Sequence, residues 1–321
     1  MSLTEFEIIQ DYFNRRLNGH ADVVLGIGDD AAILEVPADK QLLVSTDTLV
    51  SGLHFPDHIS PLDLGYRCLA VNLSDLAAMG ASPRWATLAL TLPEANAAWL
   101  QGFSDGFFTL ADRHGLALVG GDITRGPLTI TVQVHGFAGR GQALCRKGAN
   151  VGDLVYVTGE LGAAGMALAC MEHRLDLSAE SVNQVARRYL RPEPRLAAGM
   201  ALIGMASSAI DISDGLLADL GHILKASEVG ATLRLDDLPL PSAADEIGRN
   251  AAVHYALGSG DDYELCFTVP AVVVPEMEQR LRNLCAVTCI GEISDSNELD
   301  CMEAGQTVTI TGHGFQHFGA D

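Results

Sequence analysis

The chain has 321 residues, 48% of them hydrophobic, which is enough for two globular domains and too apolar for a disordered chain. Its formal net charge of −21 argues against bare nucleic acid or an anionic membrane as a partner. The seven cysteines are dispersed, odd in number and without a C-x-x-C pair, which excludes zinc-ribbon and thioredoxin-type chemistry and suits free thiols in a reducing cytoplasm.

The opening Met-Ser-Leu-Thr-Glu-Phe-Glu lacks the basic start and apolar run of a secretory leader, so a cytoplasmic protein is expected. Phe6, Ile9, Phe13 and Leu17 then fall at helical spacing over residues 4–17. A strand is predicted at 41–47, ending in the polar run Ser45-Thr46-Asp47. Ser60, Pro61 and Asp63 form a box-like helix start, and the helix carries Leu64, Cys68, Val71 and Leu76. Strand 86–92, helix 95–114, strand 117–119 and strand 128–137 follow, the last alternating Leu128, Ile130, Val132 and Val134 with polar neighbours. A break at residues 146–153 divides the chain into domains 1–148 and 149–321. The second half reads as strand 154–158, helices from about 163, at 182–189 and at 195–205, strand 208–212 and helix 216–226. Strands near 231–235, 263–269, 287–291 and 307–311 complete it. Strands and helices mixed without strict alternation predict two α/β or α+β domains.

Five segments share one design, an aspartate beside glycine or a small polar residue where a strand ends or a turn begins. They are Gly26-Ile27-Gly28-Asp29-Asp30, Ser45-Thr46-Asp47, Gly120-Gly121-Asp122, Asp211-Ile212-Ser213-Asp214-Gly215 and Gly258-Ser259-Gly260-Asp261-Asp262. A sixth acid, Asp75, sits inside a helix. Any one of these alone is ordinary turn chemistry. Six together suit magnesium, a hard cation held by a few carboxylates plus phosphate oxygens, with glycine letting backbone approach a phosphate. The familiar alternatives fail. No Walker loop frames Lys40, Lys147 or Lys225, and the kinase H-R-D and D-F-G signatures are absent. An EF-hand beginning at Asp211 would need Gly and Glu where Leu216 and His222 stand. His54 reads either as a structural hydrogen-bonder or as a phosphate contact, Arg146 as an exposed cation or a nucleotide contact, and Phe315 as a core plug or a stacking platform.

In this order the segments GIGDDAA, STDTLVSGLHF, VNLSDLAAMG, GGDITRGP and IDISDGLLADLG, with 152–159 and 258–268, resemble the thiamine-monophosphate kinases over essentially the whole length. That family belongs to the superfamily of aminoimidazole ribonucleotide synthetase and selenophosphate synthetase. The resemblance implies the two-domain α/β (α+β) fold of that superfamily, with N-terminal domains pairing into a homodimer through a dimeric β-barrel. It implies an N-terminal domain for ATP, magnesium and dimerisation, and a C-terminal domain completing the nucleotide and substrate site. It implies ATP and thiamine phosphate as substrates and thiamine diphosphate and ADP as products, with several Mg2+ ions. By motif position the metal ligands fall on Asp30, Ser45, Thr46, Asp47, Asp75, Asp122, Asp211 and Asp214, and the ATP contacts on Gly121, Asp122, Arg146 and Ser213. The substrate contacts fall on His54, Asp261 and Phe315, and the catalytic roles on Asp47, Asp122 and Arg146. The family often carries Glu at the position of Asp261 and Tyr or Trp at that of Phe315, differences that bear on substrate affinity.

The expected chemistry is direct in-line transfer without a phosphoenzyme, because a phosphate acceptor is already ionised near neutral pH. Selenophosphate synthesis is disfavoured, since the first cysteine is Cys68 and no N-terminal Cys and Lys pair exists. The Gly28-Asp29-Asp30 doublet and STDTLVSGLHF also fit the purine enzyme poorly. A metal-dependent phosphohydrolase and a non-catalytic nucleotide-binding regulator are the readings from other classes.

Overall fold

The structure, a computed structural model, describes residues 3–15 and 20–309. They fall into two compact units, one of Met1–Leu76 with Ala81–Gly141 and one of Ala77–Gly80 with Gln142–Asp321.

In the first unit, Thr4 caps α1 (Glu5–Ile8) through a reciprocal box with Glu7, and the helix runs into a π-turn, Ile9–Phe13. Leu17 lies outside the described residues. The short pair β1 (Val23–Leu25) and β2 (Ile33–Leu34) follows, then β3 (Lys40–Val50), α2 (Pro61–Ala78), β4 (Ser82–Leu92), α3 (Ala97–His114), β5 (Ala117–Arg125) and β6 (Thr129–Gly139). The larger sheet has the order β3-β6-β4-β5, with β4 and β5 parallel and the other neighbours antiparallel. Among the described residues it stays open, with β3 and β5 at its edges.

Period-two alternation decides its faces. Leu88, Leu90 and Leu92 of β4 and Ile130, Val132 and Val134 of β6 are buried, together with Leu64, Leu69, Leu73 and Leu76 of α2 and Phe103, Phe107 and Leu110 of α3. Ser60 starts α2 as its spacing predicts: its Oγ accepts from Asp63 N at 3.1 Å and donates to Asp63 Oδ2 at 2.7 Å.

Two anchors hold the segment between β1 and β2. Val23, Ala32 and Leu34 pack against buried Trp85, Ala117 and Val119, and Arg84 Nε and Nη2 donate to Asp22 Oδ2 at 3.0 and 2.8 Å. Gly26–Asp30 is thereby strung between fixed ends.

The second unit comprises β7 (Asp153–Thr158), α4 (Ala163–Met171), α5 (Ala179–Leu190), α6 (Leu196–Leu202), β8 (Ser208–Asp211), α7 (Leu216–Ser227) and β9 (Gly230–Arg234). It continues with α8 (Ala244–Ile247), α9 (Arg249–Gly258), β10 (Leu265–Pro270), α10 (Val274–Leu281), β11 (Val287–Ser294), β12 (Leu299–Glu303) and β13 (Gln306–Val308). The seven strands form one sheet, β13-β12-β9-β11-β7-β10-β8, antiparallel except for β12 beside β9. Val155, Val157, Ile210, Leu233, Cys266 and Ile290 from the sheet pack with Leu216, Leu220 and Ile223 of α7 and Val253, Ala256 and Leu257 of α9. A smaller apolar cluster joins α4 and α5 through Met166, Val185 and Tyr189. No described helix is long and apolar enough to cross a membrane.

Candidate functional site

Two segments expected where strands end lie inside longer strands. β3 runs on through Ser45-Thr46-Asp47 to Val50, and β5 runs through Gly120-Gly121-Asp122 to Arg125. Alternation therefore splits the Ser45–Asp47 trio. Ser45 and Asp47 register opposite buried Val134 and Val132, on the helix-covered side. Ser45 Oγ donates to Asp75 Oδ2 of α2 at 2.5 Å, and Asp47 N donates to Asn72 Oδ1 at 2.9 Å. Asn72 and Asp75, three apart on α2, thus face β3 together, and Asn72 is oriented by its Nδ2 donating to Cys68 O at 2.9 Å. Thr46 points the other way, its Oγ1 accepting from Gln133 Nε2 at 3.0 Å on the open face. Its hydroxyl therefore lies on the opposite face of β3 from the Ser45 and Asp47 side chains.

At the opposite edge of the sheet, Gly26–Ala32 and Leu118–Ile123 line a pocket of about 780 Å³ together with Phe6, Phe13 and Thr87. Asp29, Asp30, Gly121 and Asp122 are brought together here. Asp30 N donates to Asp29 Oδ1 at 2.9 Å. Gly121 is required by contact: with φ of 152°, a Cβ there would stand 1.9 Å from Leu88 O. β5 can hold Asp122 in this pocket because its neighbour has no side chain.

In the second unit, Asp211 ends β8, buried and in register with Leu265. The loop after it is held from behind by Asp219, a residue the sequence reading passed over. The N–H groups of Ser213, Asp214 and Gly215 donate to Asp219 Oδ2 at 3.0, 3.0 and 3.1 Å. Those three amides are therefore taken by Asp219. Burial pushes the Asp219 carboxyl up to about 7; the amides pull it down and the Asp214 carboxylate adds to the rise. In the sequence Asp219 is only an acid in the first turn of α7, which marks neither its burial nor its bonds to the loop.

The Gly258–Asp262 segment docks on this loop. Asp261 N donates to Ser213 O and Tyr263 N to Ile212 O, both at 2.8 Å, and a Cβ on Gly260 would meet Ser213 O at 2.3 Å. Asp261 and Tyr263 both take positive φ, 61° and 51°, and Tyr263 Oη donates to Asp261 Oδ1 at 2.9 Å. Asp262 turns away, its two oxygens accepting from Gly162 N at the start of α4 at 3.0 and 2.8 Å. Burial raises the Asp262 carboxyl well above the ordinary range against the pull of that amide. Behind both segments, buried Glu264 accepts from Arg195 Nε and Nη2 at 2.6 and 2.5 Å and from Thr158 Oγ1 at 2.6 Å.

Arg146 is exposed, and its carbonyl accepts from Ser227 Oγ at 3.3 Å. His54 closes the turn after β3: its Nδ1 accepts from Val50 N at 2.9 Å, which leaves the ring proton on Nε2. Phe315 lies outside the described residues.

Among the described residues no group of three His, Cys, Asp or Glu side chains stands close enough to hold a metal alone. The donors still suit magnesium. Asp29, Asp30 and Asp122 line one pocket in which no described lining residue is basic, so their charge calls for a cation. Ligation by one or two carboxylates, with phosphate oxygens completing the shell, is the usual magnesium pattern and needs no preformed protein cage.

Residues 28–138 match the family described as AIR synthase related protein, N-terminal domain, and residues 150–302 match AIR synthase related protein, C-terminal domain. The chain is 48% identical to thiamine-monophosphate kinase of Escherichia coli (strain K12), covering 99% of each chain. It is 34% identical to that of Bacillus subtilis (strain 168), covering 98% of this chain and 100% of the other. The crystal structure of thiamine-monophosphate kinase from Stenotrophomonas maltophilia K279a is 47% identical with a TM-score of 0.87, covering 96% and 99% of the two chains. That of AaThiL complexed with AMPPCP and TMP is 30% identical with a TM-score of 0.77, covering 91% and 92%. Escherichia coli HypE, a hydrogenase maturation protein, is similar in fold alone, at 19% identity, a TM-score of 0.77 and 95% coverage of each chain.

Proposed function

The chain belongs to the thiamine-monophosphate kinases, within the AIR synthase related proteins, and from that membership we propose that it transfers a phosphoryl group from ATP to thiamine phosphate, giving thiamine diphosphate and ADP. Its two-domain α/β fold is the fold of those proteins. The observation that carries the activity is identity to the Escherichia coli enzyme along 99% of both chains. AaThiL, complexed with an ATP analogue and TMP, supports ATP and thiamine phosphate as the two substrates.

The residues fit this reaction as positioners. A terminal oxygen of thiamine phosphate attacks the γ-phosphorus of ATP, the bond from that phosphorus to the bridging oxygen breaks, and ADP leaves. The attacking oxygen is already ionised near neutral pH, so no side chain has to remove a proton. Repulsion between two polyanions is the obstacle, and it calls for oriented charge. Magnesium ions, when bound, would supply the positive charge that offsets this repulsion. Asp30 and Asp122 in the first pocket, Ser45, Thr46, Asp47 and Asp75 on β3 and α2, Asp211 at the end of β8 and Asp214 after it are the residues that would hold them. Gly121, Arg146 and Ser213 are assigned to ATP, and His54, Asp261 and Phe315 to thiamine phosphate. Asp47, Asp122 and Arg146 carry the catalytic charge.

Leu42 and Val44, 43% and 52% exposed on edge strand β3, support pairing of two chains through this sheet into the barrel of the family. The first unit would then provide dimerisation, in a homodimer acting in the cytoplasm.

The test is incubation with ATP, magnesium and thiamine phosphate, resolving thiamine diphosphate by chromatography. Product formation with negligible ATP loss in the acceptor-free control is expected. ATP hydrolysis without acceptor would favour a phosphohydrolase instead, and ATP binding with no turnover would favour a regulator.

A further inference from the structure

We propose that Asp219 is a positioning residue that sets the metal-side and substrate-side loops of the second unit from one buried oxygen. The proposal rests on the kinase reading above. Asp219 is 2% exposed and is itself assigned neither to metal nor to substrate. Its Oδ2 gathers the N–H groups of three consecutive residues, Ser213, Asp214 and Gly215, within 0.1 Å of one another in length. Three amides converging on one atom fix the loop against rotation as well as translation, because no single backbone torsion can turn without breaking one of them.

The constraint is passed on. Ser213, held through its N–H, presents its carbonyl to Asp261 N at 2.8 Å, and the absence of a side chain on Gly260 lets the two backbones touch. Ile212 repeats the contact on the other side, its carbonyl accepting from Tyr263 N and its N–H donating to Glu264 O, each at 2.8 Å. Asp261 and Tyr263 keep their left-handed backbone only while this docking holds, since that conformation is unfavourable for side chains of their kind. Asp219 thus orders Asp214 and Ser213 in one step and Asp261 in two. A helix-start acid that merely favoured α7 would serve that helix equally well without three bonds to residues outside it.

Asp219→Leu removes both carboxylate oxygens while keeping the branched shape, whereas Asp219→Asn keeps one oxygen able to accept the same three bonds. Supporting partners of metal-side residues typically change affinity or activity by about 10- to 100-fold. Asp219→Leu is therefore expected to raise the magnesium activation midpoint and the KM for thiamine phosphate together by factors in that range. It should also weaken Mn2+ binding measured by calorimetry without nucleotide. Asp219→Asn should recover most of all three. Hydrogen exchange should show the amides of Ser213, Asp214, Gly215 and Asp261 losing protection together in the Leu variant. A folded Leu variant with midpoint, KM and Mn2+ affinity all within about twofold of wild type overturns the proposal. So does a variant whose melting temperature alone falls. Should the Leu variant not fold, exchange in the wild-type enzyme decides: the four amides opening as one slow group supports the clamp, and exchange as fast as exposed loops overturns it. If wild type makes no thiamine diphosphate, the kinase reading falls, and Mn2+ binding and exchange still judge Asp219.

Discussion

Replacing Arg195 with alanine is expected to cost the second unit about 3 kcal/mol, because the partner left behind is a buried carboxylate. Arg195 and Glu264 meet in a two-pronged pair with side chains only 13% and 4% exposed. Burial pulls the Arg195 pKa down, and the hydrogen bond and charge of Glu264 more than offset it, leaving the guanidinium above its ordinary value. Without Arg195, Glu264 keeps Thr158 and the more distant Arg188 Nη1, 3.7 Å away on a side chain 42% exposed. Breaking one side of a buried pair costs about 3–5 kcal/mol, and the remaining Arg188 places this case at the lower end. At about 2–4 °C per kcal/mol for a unit of this size, the melting temperature should fall by about 6–12 °C. Calorimetry reads the change, with tryptophan fluorescence as an internal reference, since Trp85 and Trp99 both lie in the first unit. The double variant Arg195→Met with Glu264→Gln removes both charges and should regain most of the loss. A single variant melting within about 2 °C of wild type, or a double variant less stable than the single, would refute the buried-charge argument.

Two further outcomes follow from the first unit. Asp47→Asn and Asp122→Asn should fold normally and lose turnover by about 10²- to 10³-fold, the scale for removing one group that stabilises developing charge. Near-normal rates for both Asn variants at modest magnesium would sink the metal assignment. Gly121→Ala drives a methyl into Leu88 O and should cost about 1–3 kcal/mol by denaturant unfolding, with weaker magnesium activation as Asp122 shifts. A variant unchanged in both measurements would show that β5 tolerates the displacement.

Much of the frame was legible where local chemistry and tertiary structure agree. Ser60 and Asp63 start α2 where the spacing places them, and the alternation of β6 holds through Val134 and His135. The strand before Asp214 and the helix after Gly215 also stand where the pattern puts them, as β8 and α7. Reading failed where sheet pairing overrode local preference. Ser45-Thr46-Asp47 reads as a strand end and Gly120-Gly121-Asp122 as a turn after one, but the ladders to β6 and β4 carry both strands on through them. Helices α9 and α10 went unread, as did the π-turn at Ile9–Phe13, whose spacing matches an ordinary helix. Asp219 was unreadable for another reason. Nothing in a chain of residues marks which acid will be enclosed, and its role exists only once the loop before α7 folds back over it.

The docking of Gly258–Tyr263 onto Asp211–Gly215 has a consequence for changing what the enzyme accepts. Because β8 and β10 are neighbours in the sheet, with Asp211 opposite Leu265, one loop leaves the sheet where the other enters it. A mutational search confined to either loop would meet strong epistasis, since each backbone is the mould for the other. Libraries that randomise both segments together, while keeping Gly260, should reach new acceptors that stepwise substitution cannot.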